Sequence, residues 1–121
     1  MSGDQYLVDT NVFIALLNKH LSINSFLESR WSFSFITEIE LLGKPGIKQS
    51  ELKVINELLS ICNKLVHVES INQLTIELKQ QSRIKLPDAL IAATSIYYNI
   101  PLLTFDKEFS QIRNLSLVLL K

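Results

Sequence analysis

Apolar runs of strand length alternate with helix-patterned stretches along the chain. That alternation predicts an α/β domain with a mostly parallel, five-stranded sheet. Two further observations bound the prediction. The 121 residues, 47% hydrophobic and 20% charged, fit a single domain over residues 1–121. No internal repeat, low-complexity tract or linker divides them.

Tyr6-Leu7-Val8 is a short apolar run ending at Asp9 and reads as a buried strand. Asn11 to Leu17 follows as a helix that is apolar almost all round, through Val12, Phe13, Ile14, Leu16 and Leu17. Such a helix is expected to be covered on more than one side, by the sheet and by a further surface such as a partner subunit. Ser22 to Arg30 reads as a second, short helical piece. Ser32 to Ile36 alternates Ser and Phe, as a strand does. Thr37 is expected to open the next helix, which Gly43-Lys44-Pro45-Gly46 breaks. Ser50 to Asn63 places Leu52, Ile55, Leu58, Leu59 and Cys62 on one helical stripe. Leu65 to Val68 reads as the third strand, and Ile71, Leu74 and Leu78 mark another helix. Pro87 and Asp88 start a helix rich in small residues, which Asn99 ends with Pro101 just beyond. Leu102 to Phe105 is the fourth strand, Asp106 to Ile112 a short helix, and Leu115 to Leu119 the fifth strand.

Twelve basic and twelve acidic side chains cancel, so attraction to nucleic acid has to come from local patches. The lone Cys62 cannot form an internal disulfide, and a reducing, cytoplasmic setting is expected. Residues 1–5 are short and polar, and the apolar run after them is interrupted by Asp9 and Asn11, so no signal peptide is expected. No apolar stretch approaches the roughly 20 residues of a membrane span.

In an open parallel sheet, ligands bind beyond the carboxyl ends of the strands. Asp9 follows the first strand and Asp106 the fourth; Glu40 lies one helical turn past the second, and Asp88 at the start of a helix. Converging carboxylates repel, by about 4 kcal/mol for two charges ~4 Å apart at an effective dielectric of 20. Protonation, Lys or Arg neighbours, or a hard cation must offset this. An all-oxygen set with no Cys or His cluster suits Mg²⁺ or Mn²⁺, and hydrolysis of a nucleic-acid backbone is the natural reaction class. Each acid also has a plain structural reading. Asp9 can cap the first helix, Thr37 and Glu40 match a capping box, Asp88 favours a helix dipole, and Asp106 suits a cap or turn.

The segments carrying these acids resemble the PIN domain family. Leu7-Val8-Asp9-Thr10-Asn11 is similar to its opening motif and Ile36-Thr37-Glu38-Ile39-Glu40-Leu41-Leu42-Gly43 to its second. Leu86-Pro87-Asp88-Ala89-Leu90-Ile91-Ala92-Ala93-Thr94 is the most specific match, and Leu103-Thr104-Phe105-Asp106-Lys107-Glu108-Phe109 resembles the last motif. The likeness is strongest to VapC-type toxin ribonucleases of toxin–antitoxin pairs. It implies a three-layer α/β/α sandwich with strand order 3-2-1-4-5. It also implies Mg²⁺- or Mn²⁺-dependent RNA cleavage at Asp9, Glu40, Asp88 and Asp106, a homodimer, and a cognate antitoxin. Thr10, Asn11 and Thr104 would orient the carboxylates from behind. Glu108, two residues after Asp106, stands as an outer-shell acid or as the alternative fourth ligand. Glu38 should point away from Glu40 on the same helix.

Lys44, Lys48, Arg83, Lys85 and Lys107 flank the acidic motifs and are candidates to grip phosphates or ordinary solvated charges. His20 and His67 belong to no ligand pattern, Cys62 suits a core, and Trp31 and Tyr97 are read as packing residues before base-stacking ones. Other hydrolase and switch folds fit less well. A haloacid-dehalogenase phosphatase needs an aspartate where Asn11 stands, a receiver domain needs one after the third strand, and no Gly-rich phosphate loop exists. The competing function is a PIN-like module that binds RNA or protein with weak or no catalysis.

Overall fold

The computed structural model describes residues 4–121, the side chains of residues 21 and 22 excepted. Residues 1–3, part of the polar start noted above, lie outside that range. Five strands, β1 (Gln5–Val8), β2 (Arg30–Phe33), β3 (Asn63–Lys64), β4 (Leu102–Thr104) and β5 (Leu117–Leu119), form one sheet in the order β3-β2-β1-β4-β5. Every pairing is parallel, so the sheet is wholly parallel rather than mostly so. Five α-helices connect them: α1 (Thr10–Leu17), α2 (Phe35–Leu42), α3 (Gln49–Ser60), α4 (Glu69–Gln81) and α5 (Leu86–Tyr98). Single 3-10 turns span Leu21–Phe26 and Lys107–Gln111.

The two faces of the sheet each bury a separate core, and neighbouring residues of a strand serve opposite faces. Leu7 and Leu102 pack with Ala89, Ile91, Ala92 and Phe109, whereas Val8 and Leu103 pack with Val12, Phe13, Phe33, Leu41 and Ile55. This is the period-two geometry of a strand covered on both sides, and it explains why β1 and β4 read as continuous apolar runs rather than alternating ones. Ala89, Ala92 and Ala93 are fully buried, so the small residues of α5 let that helix lie close to its neighbours.

Element boundaries differ from the expectations most in one connected region; elsewhere β4 ends at Thr104 instead of Phe105 and β5 begins at Leu117 instead of Leu115. The second strand ends at Phe33 instead of Ile36, because Ser34 takes an extended cap conformation and Phe35 already begins α2. Thr37 is therefore inside the helix and fully buried, not its cap, and the Thr37–Glu40 capping box does not form. The early end of β2 also shortens β3. Leu65 N–H still reaches Phe33 C=O at 2.9 Å, but beyond it no strand remains for Val66 to Val68 to pair with. The third strand accordingly lies at Asn63–Lys64, where Leu65–Val68 was expected, and α3 stops at Ser60 to release it. The short helical piece expected over Ser22–Arg30 is the 3-10 turn 21–26, and Trp31 Nε1–H fastens it by donating to Phe26 C=O at 3.0 Å. The two glycines after α2 act differently. A Cβ on Gly43 would meet Ile39 O at 2.5 Å, while Gly46 has φ +74°, where side chains are strained.

Candidate active site

Sheet order brings β1 and β4 side by side, with Leu7 opposite Leu102 and Val8 opposite Leu103. The chain reverses its direction of winding there, so the segments after the two strands open a crevice at their carboxyl ends. Asp9 stands in it as the N-cap of α1, 5% exposed. Its Oδ1 accepts from Thr10 N–H at 2.8 Å and its Oδ2 from Thr104 Oγ at 2.7 Å. Each carboxylate oxygen keeps a second lone pair, so capping does not exhaust this side chain.

Thr104 is the hub of the crevice. Its hydroxyl donates its only proton to Asp9 and accepts from Asp106 N–H at 3.0 Å and from Asn11 Nδ2 at 3.4 Å. Asn11 returns the link by accepting from Phe105 N–H at 3.3 Å. One hydroxyl thus fixes the rotamer of Asp9 and the backbone leading to Asp106. Asp106 in turn caps the 3-10 turn, with Oδ1 accepting from Glu108 N–H at 2.9 Å. The structural readings of Asp9 and Asp106 as caps both hold, and they hold these two acids at the mouth of the same crevice.

Glu40 is placed from α2. Its Oε1 accepts from Thr10 Oγ at 2.6 Å, and Thr10 Oγ lies 3.1 Å from Thr37 Oγ. Thr10 has a single hydroxyl proton and commits it to the carboxylate, so Thr37 donates to Thr10. Thr37 is the residue that the sequence reading misplaced as a cap. Thr37 and Glu40 are i and i+3 on α2 and share a face, but that spacing is also the spacing of a capping box. Glu38 points elsewhere and pairs with Lys64 at 2.8 Å.

Electrostatics tie the acids together. Burial pushes the Asp9 carboxyl from 3.8 up to about 6, opposed by its hydrogen bonds from Thr104 and Thr10 and reinforced by the charges of Asp88 and Glu40. Asp88 in the first turn of α5 is also raised, by burial first, then by Asp106 and Glu40 and more weakly by Glu108, with Lys85 pulling it back down. Asp9, Glu40, Asp88 and Asp106 therefore share one field, and Glu108 sits at its margin. Among the described residues, however, no group of three or more His, Cys, Asp or Glu side chains is drawn tightly enough together to hold a metal ion as it stands. Of the cations flanking the motifs, Lys44 is taken up by Glu51 at 3.2 Å, whereas Lys85 lies within the field of Asp88.

The chain belongs to the PIN domain family, whose model matches residues 6–115. In structure and sequence it is similar to VapBC proteins. A chain of VapBC-1 from nontypeable Haemophilus influenzae aligns at 28% identity and TM-score 0.82, covering 95% of this chain and 97% of that one. A chain of a toxin–antitoxin complex from Klebsiella pneumoniae aligns at 29% identity and TM-score 0.79, covering 93% and 95%. VapBC2 from Rickettsia felis, bound to a DNA fragment from its promoter, aligns at 25% identity and TM-score 0.79, covering 97% and 99%. Comparison with curated proteins finds no significant sequence match. PIN nucleases generally use divalent metal ions. The donor set here fits one: every candidate ligand is a carboxylate oxygen, and two of the carboxyls are held above their ordinary pKa by burial and by neighbouring like charges.

Proposed function

We propose that this chain is a metal-dependent endoribonuclease, one PIN domain over residues 1–121, and the toxin of a toxin–antitoxin pair. The observation that carries the catalytic part is the shared field of Asp9, Asp88, Glu40 and Asp106 around a buried, hydroxyl-oriented carboxylate at the β1–β4 crevice. A field of like charges built into a fold destabilises it unless something positive is drawn in. Asp9, Asp88 and Asp106, with Glu40, would hold Mg²⁺ or Mn²⁺. When bound, such an ion offsets charge developing on a phosphate and lowers the pKa of water. The remaining work belongs to the chain. Thr104 and Thr10 orient Asp9 and Glu40, Asn11 holds the segment after β4 in place, and Glu108 supplies an outer acid. Lys85 and Lys107, beside Asp88 and Asp106, offer positive charge to the RNA backbone.

The similarity to VapBC complexes supports an antitoxin partner and, with the absence of any helix long and apolar enough to cross a membrane among the described residues, a cytoplasmic setting. The competing reading, a binding module without catalysis, draws on the looseness of the acids as they stand. One experiment separates them. Incubation of purified chain with single-stranded and structured RNA should give internal cuts with Mn²⁺ or Mg²⁺, none with EDTA, and none with Asp9→Asn under any condition. RNA bound but uncut by the wild type across these conditions would favour the binding module.

Assembly follows from α1. Val12 and Phe13 are buried, but Ile14 on the same helix is 46% exposed, so one chain does not cover the whole apolar girth of α1. A homodimer with Val12 to Leu21 or neighbouring helices contributing to its interface is the corresponding proposal. Light scattering at high micromolar concentration should give twice the mass of the chain, and a monomer throughout would sink it.

A further inference from the structure

A hollow of about 320 Å³ opens between the C-terminal end of α4 and the segment that closes the 3-10 turn Lys107–Gln111. Leu78 and Ile112 line it from the core. Its other lining residues, Gln81, Ser82, Gln111, Arg113 and Asn114, are all polar, and none is an acid. The carboxylate site uses none of them.

Gln111 joins this hollow to the acids. Its Nε2 donates to Glu108 C=O at 3.0 Å and to Glu108 Oε2 at 3.4 Å, while its Oε1 accepts from Arg83 N–H at 3.3 Å. One amide thus fastens the link between α4 and α5 to the 3-10 turn after β4. Those are the segments that lead into Asp88 and out of Asp106. Arg83 stands five residues before Asp88 and Gln111 five residues after Asp106. Each is therefore within about 18 Å of its acid along the chain. Glu108, which Gln111 holds, is also one of the charges that raise Asp88. The hollow flanks the crevice on the side of the segment after β4.

The free donors of the hollow suit an oxyanion. Ser82 Oγ spends its proton on Leu78 C=O at 2.8 Å, and Gln111 spends its amide on Glu108. Among the described residues, the side chains of Gln81, Arg113 and Asn114 make no hydrogen bond or ion pair within the chain. What stands open is one full positive charge and two amides, with no carboxylate in the lining. A guanidinium grips a phosphate through two parallel N–H bonds, and amide N–H groups can serve its remaining oxygen. The chain has no net charge, so a polyanion has to be drawn by a local excess of this kind. We propose that the hollow is a phosphate subsite, in which Arg113, with Gln81 and Asn114, takes a backbone phosphodiester of an RNA strand whose scissile phosphate lies at the acids. The proposal rests on the ribonuclease reading above for the course of the strand, but phosphate binding itself does not require catalysis. A phosphate is common to every sequence, so the subsite adds affinity and register without base preference.

The test reads binding and cutting separately. Fluorescence anisotropy with a labelled single-stranded RNA of mixed sequence, in EDTA over a series of salt concentrations, compares wild type, Arg113→Gln, Arg113→Lys and Arg30→Gln. Arg30, exposed at the start of β2 and so at the other end of the strands, controls for the loss of one positive charge. Arg113→Gln should weaken binding several-fold at low salt and reduce the salt slope by about 0.7, the share of one phosphate on a single strand. Arg113→Lys should keep the slope but recover only part of the affinity, since it keeps the charge and loses the fork. Arg30→Gln should match wild type. RNAs carrying one neutral methylphosphonate at successive positions locate the contact: at one position the change should cost wild type affinity and cost Arg113→Gln nothing. Arg113 is exposed, so its variants should melt with wild type. With Mn²⁺, Arg113→Gln should raise KM and leave kcat nearly unchanged, because it removes binding common to the ground and transition states. Arg113-dependent binding by a protein that never cuts would uphold the subsite and defeat the ribonuclease reading. Cutting by the wild type, with Arg113→Gln equal to it in affinity, slope and methylphosphonate profile, would overturn the subsite and leave the ribonuclease standing. An equal loss in Arg30→Gln would reduce the effect to net charge and overturn the subsite as well. Weakened binding of a VapB-type antitoxin by Arg113→Gln, with RNA binding unchanged, would also overturn it and assign the surface to protein.

Discussion

Asp9→Asn and Asp88→Asn should each lower metal-dependent RNA cleavage by about 100-fold or more, the scale seen when one electrostatic contributor to a transition state is removed. Both carboxyls lie where burial and like charges hold them above their ordinary pKa, so each is poised to gain from a cation. Glu40→Gln and Asp106→Asn should fall in the same direction, because both charges act on Asp88. Glu38→Gln is the internal control. It removes only a half-exposed pair with Lys64, an interaction worth up to about 1 kcal/mol, and should leave the rate near wild type. Thr104→Val probes positioning. It keeps the volume of the side chain but removes the proton that orients Asp9, and the expected loss is ten- to a hundredfold in metal affinity. Raising Mn²⁺ should then recover much of its rate, unlike that of Asp9→Asn. Cleavage that survives EDTA would overturn the assignment. So would activity lost with Glu38→Gln and kept with Glu40→Gln.

The parts of this molecule legible in its sequence are those fixed by local chemistry. β1, β4 and α5 carry unbroken apolar runs or clear stops, such as Asn99 at φ 55° after α5, and their placement follows from composition. The order of the strands was expected from the family resemblance, and the structure shows it. What the sequence hid was set by pairing partners. Leu65 to Val68 is a better strand former than Asn63-Lys64, yet the backbone of β2 reaches no further than Leu65, because Ser34 turns the chain into α2. Thr37 shows the same blindness at the site. Ser, Thr and Asn suit caps in general, so a Thr ahead of a Glu invites the capping-box reading. Only the tertiary contact with Thr10 shows that its hydroxyl stands behind Glu40.

The same substitution that should silence the site should stabilise the empty fold. Asp9 titrates near 3.8 when unfolded and at about 6 when folded, so between these values the folded state binds more protons than the unfolded one. For this group, stability is greatest below pH 4, declines as pH rises, and reaches its full penalty above about pH 6. The difference corresponds to at most about 3 kcal/mol, at 1.36 kcal/mol per pKa unit. Asn at position 9 carries no charge to penalise, but it retains only one acceptor for the two donors now on Asp9, Thr10 N–H and Thr104 Oγ–H. A net gain of about 1–2 kcal/mol at pH 7.5 is therefore expected for metal-free Asp9→Asn, a rise of several degrees in Tm. At pH 4.5 the gain should shrink or reverse. Millimolar Mn²⁺ at pH 7.5 should raise the wild-type Tm by mass action and hardly move that of the variant, so the order of the two proteins narrows or inverts when metal is added. Thermal melts at pH 4.5 and 7.5, each with EDTA and with Mn²⁺, give all eight values. A wild-type Tm indifferent to Mn²⁺ at pH 7.5 would remove the case for a metal site. A variant less stable than wild type at pH 7.5 in EDTA would show that Asp9 stabilises the fold as an ionised cap, and that its charge is not held in reserve for a cation.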